Sequence, residues 1–417
     1  MPDTPTVPQG TIGPVSSASP NPEVGLASVP DEGGKALAGF LLSGFLLALL
    51  GAILPAWGYN RVEDPSDFVA AGNYFLSLAA GIVAASVLAR RVMARWGVAY
   101  LLVFGCGIAC LALLFLAWAA PPHSAWWRAI GLLVLGTGAG SLNMALFHAI
   151  SKRYQEDAAG TVNLGGAWYG LGCLAATLLV AGTFYAYTVT TILIFMAVVP
   201  GVFAVLYGRR APVVPPKAAD PTLRQALEDF RSPGAVMFAL LLFFQFGNEW
   251  SIAGWLPLFL LRRIEISPAA ALLILALYWS FLMGGRLAAA AILPRVRHRR
   301  LLLWSMAASL FGCFVLFFTD NQFGASMGVI ILGCGYASIY PLVAEAIGHR
   351  FPYYHPGFFN GIFSLALLGG LLAPATLGYA AAVLGNVRVV MAIPLIGTCV
   401  VMLLLVGIWL EAKVTGR

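Results

Sequence analysis

The sequence predicts an all-α integral membrane protein whose twelve transmembrane helices form two pseudo-symmetric six-helix bundles. Three observations carry this. First, 60% of the 417 residues are hydrophobic and only 10% are charged, whereas soluble globular proteins are roughly 25% charged. So little polar covering would leave greasy surface in water, which argues against a soluble enzyme, a nucleic-acid binder and a disordered chain. Second, the apolar residues fall in continuous runs of the length that a hydrocarbon core of about 30 Å demands of a helix. Third, part of the first half recurs in the second.

In chain order, residues 1–35 are rich in Pro, Gly and Ser and set Asp3, Glu23, Asp31 and Glu32 against the single Lys35. They lack a basic start and a cleavable apolar run, and so read as a disordered cytoplasmic tail. The first bundle occupies 36–208. Its helices run over 36–57 and 68–89, with Arg61 between them; 98–119, behind Arg90, Arg91 and Arg95; and 126–150, which opens on the interfacial anchors Trp126 and Trp127 and on Arg128. Lys152 and Arg153 then precede 161–182, and 185–208 closes the bundle.

A Pro-rich, charged segment at 209–232 reads as a cytoplasmic linker. The second bundle, 233–411, begins with helices 233–261, ending at Arg262 and Arg263, and 268–293, with Arg286 inside it and Arg295, Arg297, Arg299 and Arg300 behind it. Helices 301–319 and 324–348 follow, then Arg350, helix 358–384, Arg388, helix 389–410 and a cytoplasmic tail at 412–417. None of the runs alternates apolar with polar residues, so strands are excluded, and helices satisfy their own backbone in lipid. Eighteen Lys and Arg fall on the N-terminal side, against Arg61, Arg128, Arg262, Arg263 and Arg388 on the other. This asymmetry places both termini in the cytoplasm and accounts for the net charge of +7 without an anionic ligand. The six cysteines all lie in apolar runs without zinc-ligand spacing and read as small hydrophobes.

A shift of 197 residues aligns 136–174 with 333–371 and gives 11 identities in 39 gap-free positions, among them Gly136/Gly333, Gly138/Gly335, Ser141/Ser338, Arg153/Arg350, Asn163/Asn360 and Gly172/Gly369. A shift of 204 brings Gly81 onto Gly285, each on a helix that leads into a basic loop. Duplication is the better account of these matches. Two like-oriented halves imply a pseudo-two-fold along the membrane normal, as in secondary transporters that hold their substrate between the halves.

Six plus six helices, a central loop and basic loops after the second and eighth helices resemble the major facilitator superfamily. Its loop signature is matched by Gly285-Arg286-Leu287 followed by Pro294-Arg295-Val296-Arg297-His298-Arg299-Arg300, without the acid that usually follows the glycine. Phe246-Gly247-Asn248-Glu249 with Gly254-Trp255-Leu256-Pro257, Tyr340-Pro341 before Gly348-His349-Arg350-Phe351-Pro352, and the stretch 369–374 are similar to the fucose-permease-like branch. The resemblance implies sugar/proton symport by alternating access. That branch's acids on the first and fourth helices are missing here: the first helix has none and the fourth offers only His148.

Ionisable groups deep in a membrane are expensive, at about 2.5–3.5 kcal/mol each on insertion scales, and need a reason. Glu249 lies mid-helix one turn after Gln245, among the helix-loosening Gly247, Gly254 and Pro257. It is read as a pathway carboxylate that binds substrate or takes up a proton, or else as a structural carboxylate bonded to a neighbouring helix. Arg286 and Glu345 lie at equal depth on the cytoplasmic side and are expected to pair, as a gate with Arg295 or as a permanent brace. His148, the repeat counterpart of Glu345, is either a second proton-coupling group or a satisfied polar residue. Candidate substrate contacts are Glu249, Gln245, Asn248, Asn143, Asn163, Asn360 and the aromatic Trp168, Tyr169, Tyr278, Tyr336 and Tyr340. Each is weighed against interhelical hydrogen bonding or packing.

The expected function is transport of a small polar, sugar-like solute across the cytoplasmic membrane, with proton coupling through Glu249 as one mode. The alternatives are an exporter of amphiphilic compounds and a non-transporting sensor on the same scaffold. No Gly-x-Ser-x-Gly, His-Glu-x-x-His or Walker-type sequence occurs, so an intramembrane enzyme and an ATP-driven pump are not expected. No cofactor, metal or nucleic acid is expected. The partners are the small solute and the lipid bilayer, and the chain is expected to act as a monomer.

Overall fold

The structure, a computed structural model, describes residues 32–59, 65–151, 153, 158–209, 230, 232–293, 295–350 and 362–415. Among them no strand occurs, and twelve helices are long and apolar enough to cross a membrane. In chain order they are α1 Ala36–Ile53, α2 Pro65–Ser86, α3 Leu88–Trp118, α4 Ala125–Ala149, α5 Gly160–Thr183 and α6 Val189–Arg209. The second six are α7 Pro233–Arg263, α8 Pro268–Ile292, α9 His298–Phe318, α10 Gln322–Arg350, α11 Leu365–Leu384 and α12 Val389–Val414.

The ends differ from expectation where the chain stays helical past the apolar runs. α2 and α3 form one helical run, Pro65–Trp118, broken at Gly97, whose φ of 84° suits a residue without a Cβ. The basic loop behind Arg90 is thus mostly helical, and the chain turns at Gly97, next to where the third apolar run begins. The last helix continues to Thr415, so most of the short tail expected at 412–417 is helical. The first helix likewise starts at Glu32, inside the segment expected to be disordered. The rest of the tail, residues 1–31, and nearly all of the 209–232 linker lie outside the described residues.

The duplication is visible as packing. A Cβ at Gly172 on α5 would lie 1.8 Å from the Leu41 carbonyl oxygen of α1, and one at its counterpart Gly369 on α11 would lie 2.0 Å from the Phe243 carbonyl of α7. Gly136 of α4 abuts Leu78 of α2, and Gly333 of α10 abuts Tyr278 and Leu282 of α8. Gly138 packs α4 on α3 at Gly105 and Ala109, and Gly335 packs α10 on α9 at Ser305 and Ser309. Matched glycines thus let matched helix pairs approach backbone to backbone, the small-residue packing that lipid favours.

α3, α6, α9 and α12 lie outermost, exposing Leu111, Val198, Phe311 and Leu403 among other large apolar side chains. The halves meet where α5 packs on α8 and α10, α2 on α11 and α1 on α7. On the side away from the termini they close tightly: a Cβ at Gly51 of α1 would lie 2.3 Å from the Ala253 carbonyl of α7, and one at Gly378 of α11 would lie 2.8 Å from Gly72 Cα of α2. There Tyr379 donates its hydroxyl to Asn73 Oδ1 at 2.5 Å, and Trp255, whose indole N–H is held by the Pro374 carbonyl within the second half, packs on Phe75 of the first with ring centroids 5.7 Å apart.

Candidate functional site

Between the halves lies a cavity of about 140 Å³, lined by α1, α2, α4 and α5 from the first half and by their repeat counterparts α7, α8, α10 and α11 from the second. It extends from mid-depth toward the terminus side, where Ile150 and Thr161 line it. A smaller space of about 30 Å³ lies beyond Tyr169 and Trp250, toward the closed side. An engineered cavity of roughly 150 Å³ accepts benzene, so the main cavity suits a single ring.

Glu249 sits at the middle of α7 and lines this cavity while being only 9% exposed. Gln245, one turn earlier, donates its side-chain N–H to Glu249 Oε1 at 2.8 Å. Arg286 of α8 places Nη2 3.5 Å from Glu249 Oε2, and its Nη1 donates to the Gly166 carbonyl of α5 at 3.1 Å. The guanidinium therefore touches both halves. It lies flat on α5 because residue 166 has no side chain: a Cβ there would stand 2.4 Å from Nη1. Neither Arg286 Nε nor Gln245 Oε1 has a hydrogen-bond partner among the described residues. The walls are otherwise largely aromatic and aliphatic, with Phe40, Phe147, Tyr169, Phe246, Trp250 and Tyr340 among them.

Of the sequence candidates, the cavity gathers Asn143, Tyr169, Glu249 and Tyr340, together with Arg286. Asn143 accepts the Ser43 hydroxyl at 2.6 Å, and Tyr340 meets Phe246 edge to face at 4.9 Å. Gln245 is buried behind Glu249. Asn248 turns away toward α12, donating to Thr398 Oγ1 at 3.3 Å. Tyr336 is fully buried, with its hydroxyl 3.0 Å from the same Thr398 hydroxyl. Tyr278 is fully buried as well, and Trp168 packs against the core; neither lines the cavity. Asn163 is buried with neither side-chain polar atom bonded among the described residues. His148 does not line the cavity, although its neighbour Phe147 does. Asn360 lies outside the described residues.

The expected pairing of Arg286 with Glu345 does not form. Gly285 packs against Cys334 and Ala337 of α10, so Arg286, about 100° further round the helix, faces α5 and α7 instead. Glu345 is held by His298 Nδ1 at 3.2 Å and His349 Nε2 at 3.6 Å, all within the second half. Arg295, just past the end of α8, donates to the Ala291 carbonyl of that helix at 3.1 Å and bridges nothing across the halves among the described residues. Gly247 and Gly254, expected to loosen α7, leave it a continuous helix through Pro257 and instead admit α11 and Phe75 of α2 at close range. Trp250, Thr161 and Gly166, which faces Arg286, are not singled out by the sequence. Trp250 was detectable as the i+4 neighbour of Phe246 on the helix that carries Glu249. Among the described residues no cluster of three or more His, Cys, Asp or Glu could hold a metal ion.

The profile of the Major Facilitator Superfamily matches residues 8–176 and 162–374. An uncharacterized MFS-type transporter of Yersinia pestis is 24% identical over 353 residues, covering 82% of this chain and 87% of its own length. Among solved structures, the Escherichia coli fucose:proton symporter superposes with a TM-score of 0.59 at 15% identity, covering 89% of this chain and 97% of its own. The nucleoside transporter NupG superposes with a TM-score of 0.67 at 14% identity, covering 92% and 98% respectively.

Proposed function

The chain belongs to the major facilitator superfamily, and from that premise we propose that it carries a small polar, sugar-like solute across the cytoplasmic membrane by alternating access, as a monomer. The observation that carries this reading is the ring-sized cavity between repeat-related helices, shut on one side by backbone-to-backbone contacts and reaching toward the other. With both termini in the cytoplasm, as the basic residues indicate, the cavity faces inward in this conformation. The fucose and nucleoside carriers among its structural neighbours support a solute of this size and polarity. Glu249 is the carboxylate on the route and the candidate for taking up a proton as the solute moves.

The test is uptake into liposomes containing the purified protein, with an imposed pH gradient and a panel of labelled monosaccharides, sugar derivatives and nucleosides. Movement of one class beyond that in empty liposomes is expected; immobility of the whole panel sinks the reading and favours a sensor. A second reading, export of amphiphilic compounds, is supported by the aromatic lining. Hypersensitivity of a deletion strain to such compounds, with no sugar movement, would select it.

A further inference from the structure

The Arg286 guanidinium is poorly served for a group this buried. Among the described residues its carboxylate contact is a single one at 3.5 Å, its one close bond goes to a helix carbonyl at 3.1 Å, and its Nε has no partner. A buried arginine matched to a carboxylate makes bonds of about 2.7–2.9 Å, commonly two in parallel. Glu249 is tied on its other oxygen by Gln245 at 2.8 Å and so is held back from that geometry. Meanwhile Arg286 lines a space large enough for one ring, with aromatic faces around it.

We propose that Arg286 is the receptor for a carboxylate on the transported solute, and that Glu249 holds its place until the solute arrives and then takes up one proton. This deepens the transport reading above and rests on it. Empty, the cavity carries one positive and one negative charge. A solute carboxylate on Arg286 makes the sum −1, and one proton from water on Glu249 returns it to zero. No covalent bond is made or broken. Solute and proton leave together, and Glu249, ionised again, returns to Arg286. Among the described residues the other titratable groups near Glu249 and Arg286 are Tyr278 of α8, Tyr169 and Cys173 of α5 and Tyr340 of α10, none of them ordinarily charged at neutral pH. α1 and α11 line the cavity with Phe40, Leu47, Leu367 and Gly370, and α12 faces the neighbouring Asn248 with Thr398. The ring of the solute packs on the aromatic walls. The solute class is therefore a ring-sized monocarboxylate: an acidic sugar, or an aromatic acid of the same size.

The experiment uses the full chain in liposomes, with glucuronate as the acidic sugar, benzoate as the aromatic acid and glucose as the neutral control. An inward proton gradient is expected to drive accumulation of at least one acid beyond that in empty liposomes, which benzoic acid crosses in its neutral form, with no accompanying current, and glucose is expected to stay out. Glu249→Gln is expected to keep exchange of labelled for unlabelled acid while losing gradient-driven accumulation. Arg286→Gln is expected to lose both by about tenfold or more, the loss that follows removal of a charge-assisted hydrogen bond. Accumulation of glucose but of neither acid overturns the carboxylate receptor and leaves sugar transport standing. Movement of all three probes alike, or a net current carried by acid uptake, also overturns it, and both are read on the unaltered protein. If none of the probes and no solute of the wider panel moves, this inference and the transport reading fall together.

Discussion

Arg286 meets Glu249 at 3.5 Å and the Gly166 carbonyl at 3.1 Å, so one guanidinium joins α7 and α8 of the second half to α5 of the first. Removing one member of such a buried pair strands the other, at a cost of about 3–5 kcal/mol, whereas replacing both by apolar side chains is often neutral. Arg286→Met and Glu249→Leu are each expected to lower the thermal unfolding temperature in detergent, and the double variant to recover most of the loss. Single variants as stable as the parent would mean that water in the cavity already solvates both charges.

Gly166→Ala separates contact from folding. The new methyl would stand 2.4 Å from Arg286 Nη1, but that atom ends a flexible side chain and can move aside. Thermal stability is therefore expected to stay near the parent's, while the guanidinium leaves α5 and solute uptake falls. Unchanged uptake would mean that the bond between Arg286 and Gly166 plays no part in the cycle.

Length and hydropathy made the helices legible in the sequence, because a bilayer imposes one dimension on every span. The duplication was legible because close helix packing admits only small residues, and these recur at Gly136/Gly333 and Gly172/Gly369. Both Glu249 and Arg286, singled out as ionisable groups within apolar runs, are buried. Azimuth was not legible. Asn248 is next to Glu249 in the chain, yet one step of about 100° carries it away from the cavity to Thr398. The same rotation sends Arg286 to Glu249 and leaves Glu345 with His298 and His349. The facing side of a span depends on its neighbours, and hydropathy is nearly uniform around a helix that touches lipid, cavity and protein at once.

The repeat makes a paired prediction. Gly172→Ala and Gly369→Ala would each drive a methyl into a main-chain carbonyl of the adjacent helix, at 1.8 and 2.0 Å. Backbone cannot step aside as a side-chain tip can, and overpacking costs about 1–3 kcal/mol. Both variants are expected to unfold at lower temperature and to express poorly. Gly284→Ala, whose methyl would meet nothing within 4 Å, serves as the control and is expected to gain slightly from helix propensity. Equal stability of all three variants would remove close packing as the reason for the repeated glycines.

Transport by rocking halves also requires the closed side to open. Gly72 and Gly378 lie back to back there; a Cβ at 378 would stand 2.6 Å from the Phe68 carbonyl oxygen and 2.8 Å from Gly72 Cα, so α2 and α11 must ease apart to admit a cysteine. Cysteines at both positions bring their Cβ atoms into the neighbourhood of the roughly 3.5–4.5 Å that a disulfide spans. The double variant Gly72→Cys, Gly378→Cys is expected to form a cross-link under oxidant, seen as a mobility shift after cleavage of the chain between the halves. Uptake into liposomes should stop in proportion to cross-linking and return on reduction, while each single cysteine variant should respond to neither reagent. The native cysteines are poor competitors for the bridge, since none lies on α2 or α11. Full uptake by a quantitatively cross-linked protein would mean that α2 and α11 never part, and the solute would then need a route that does not pass between the halves.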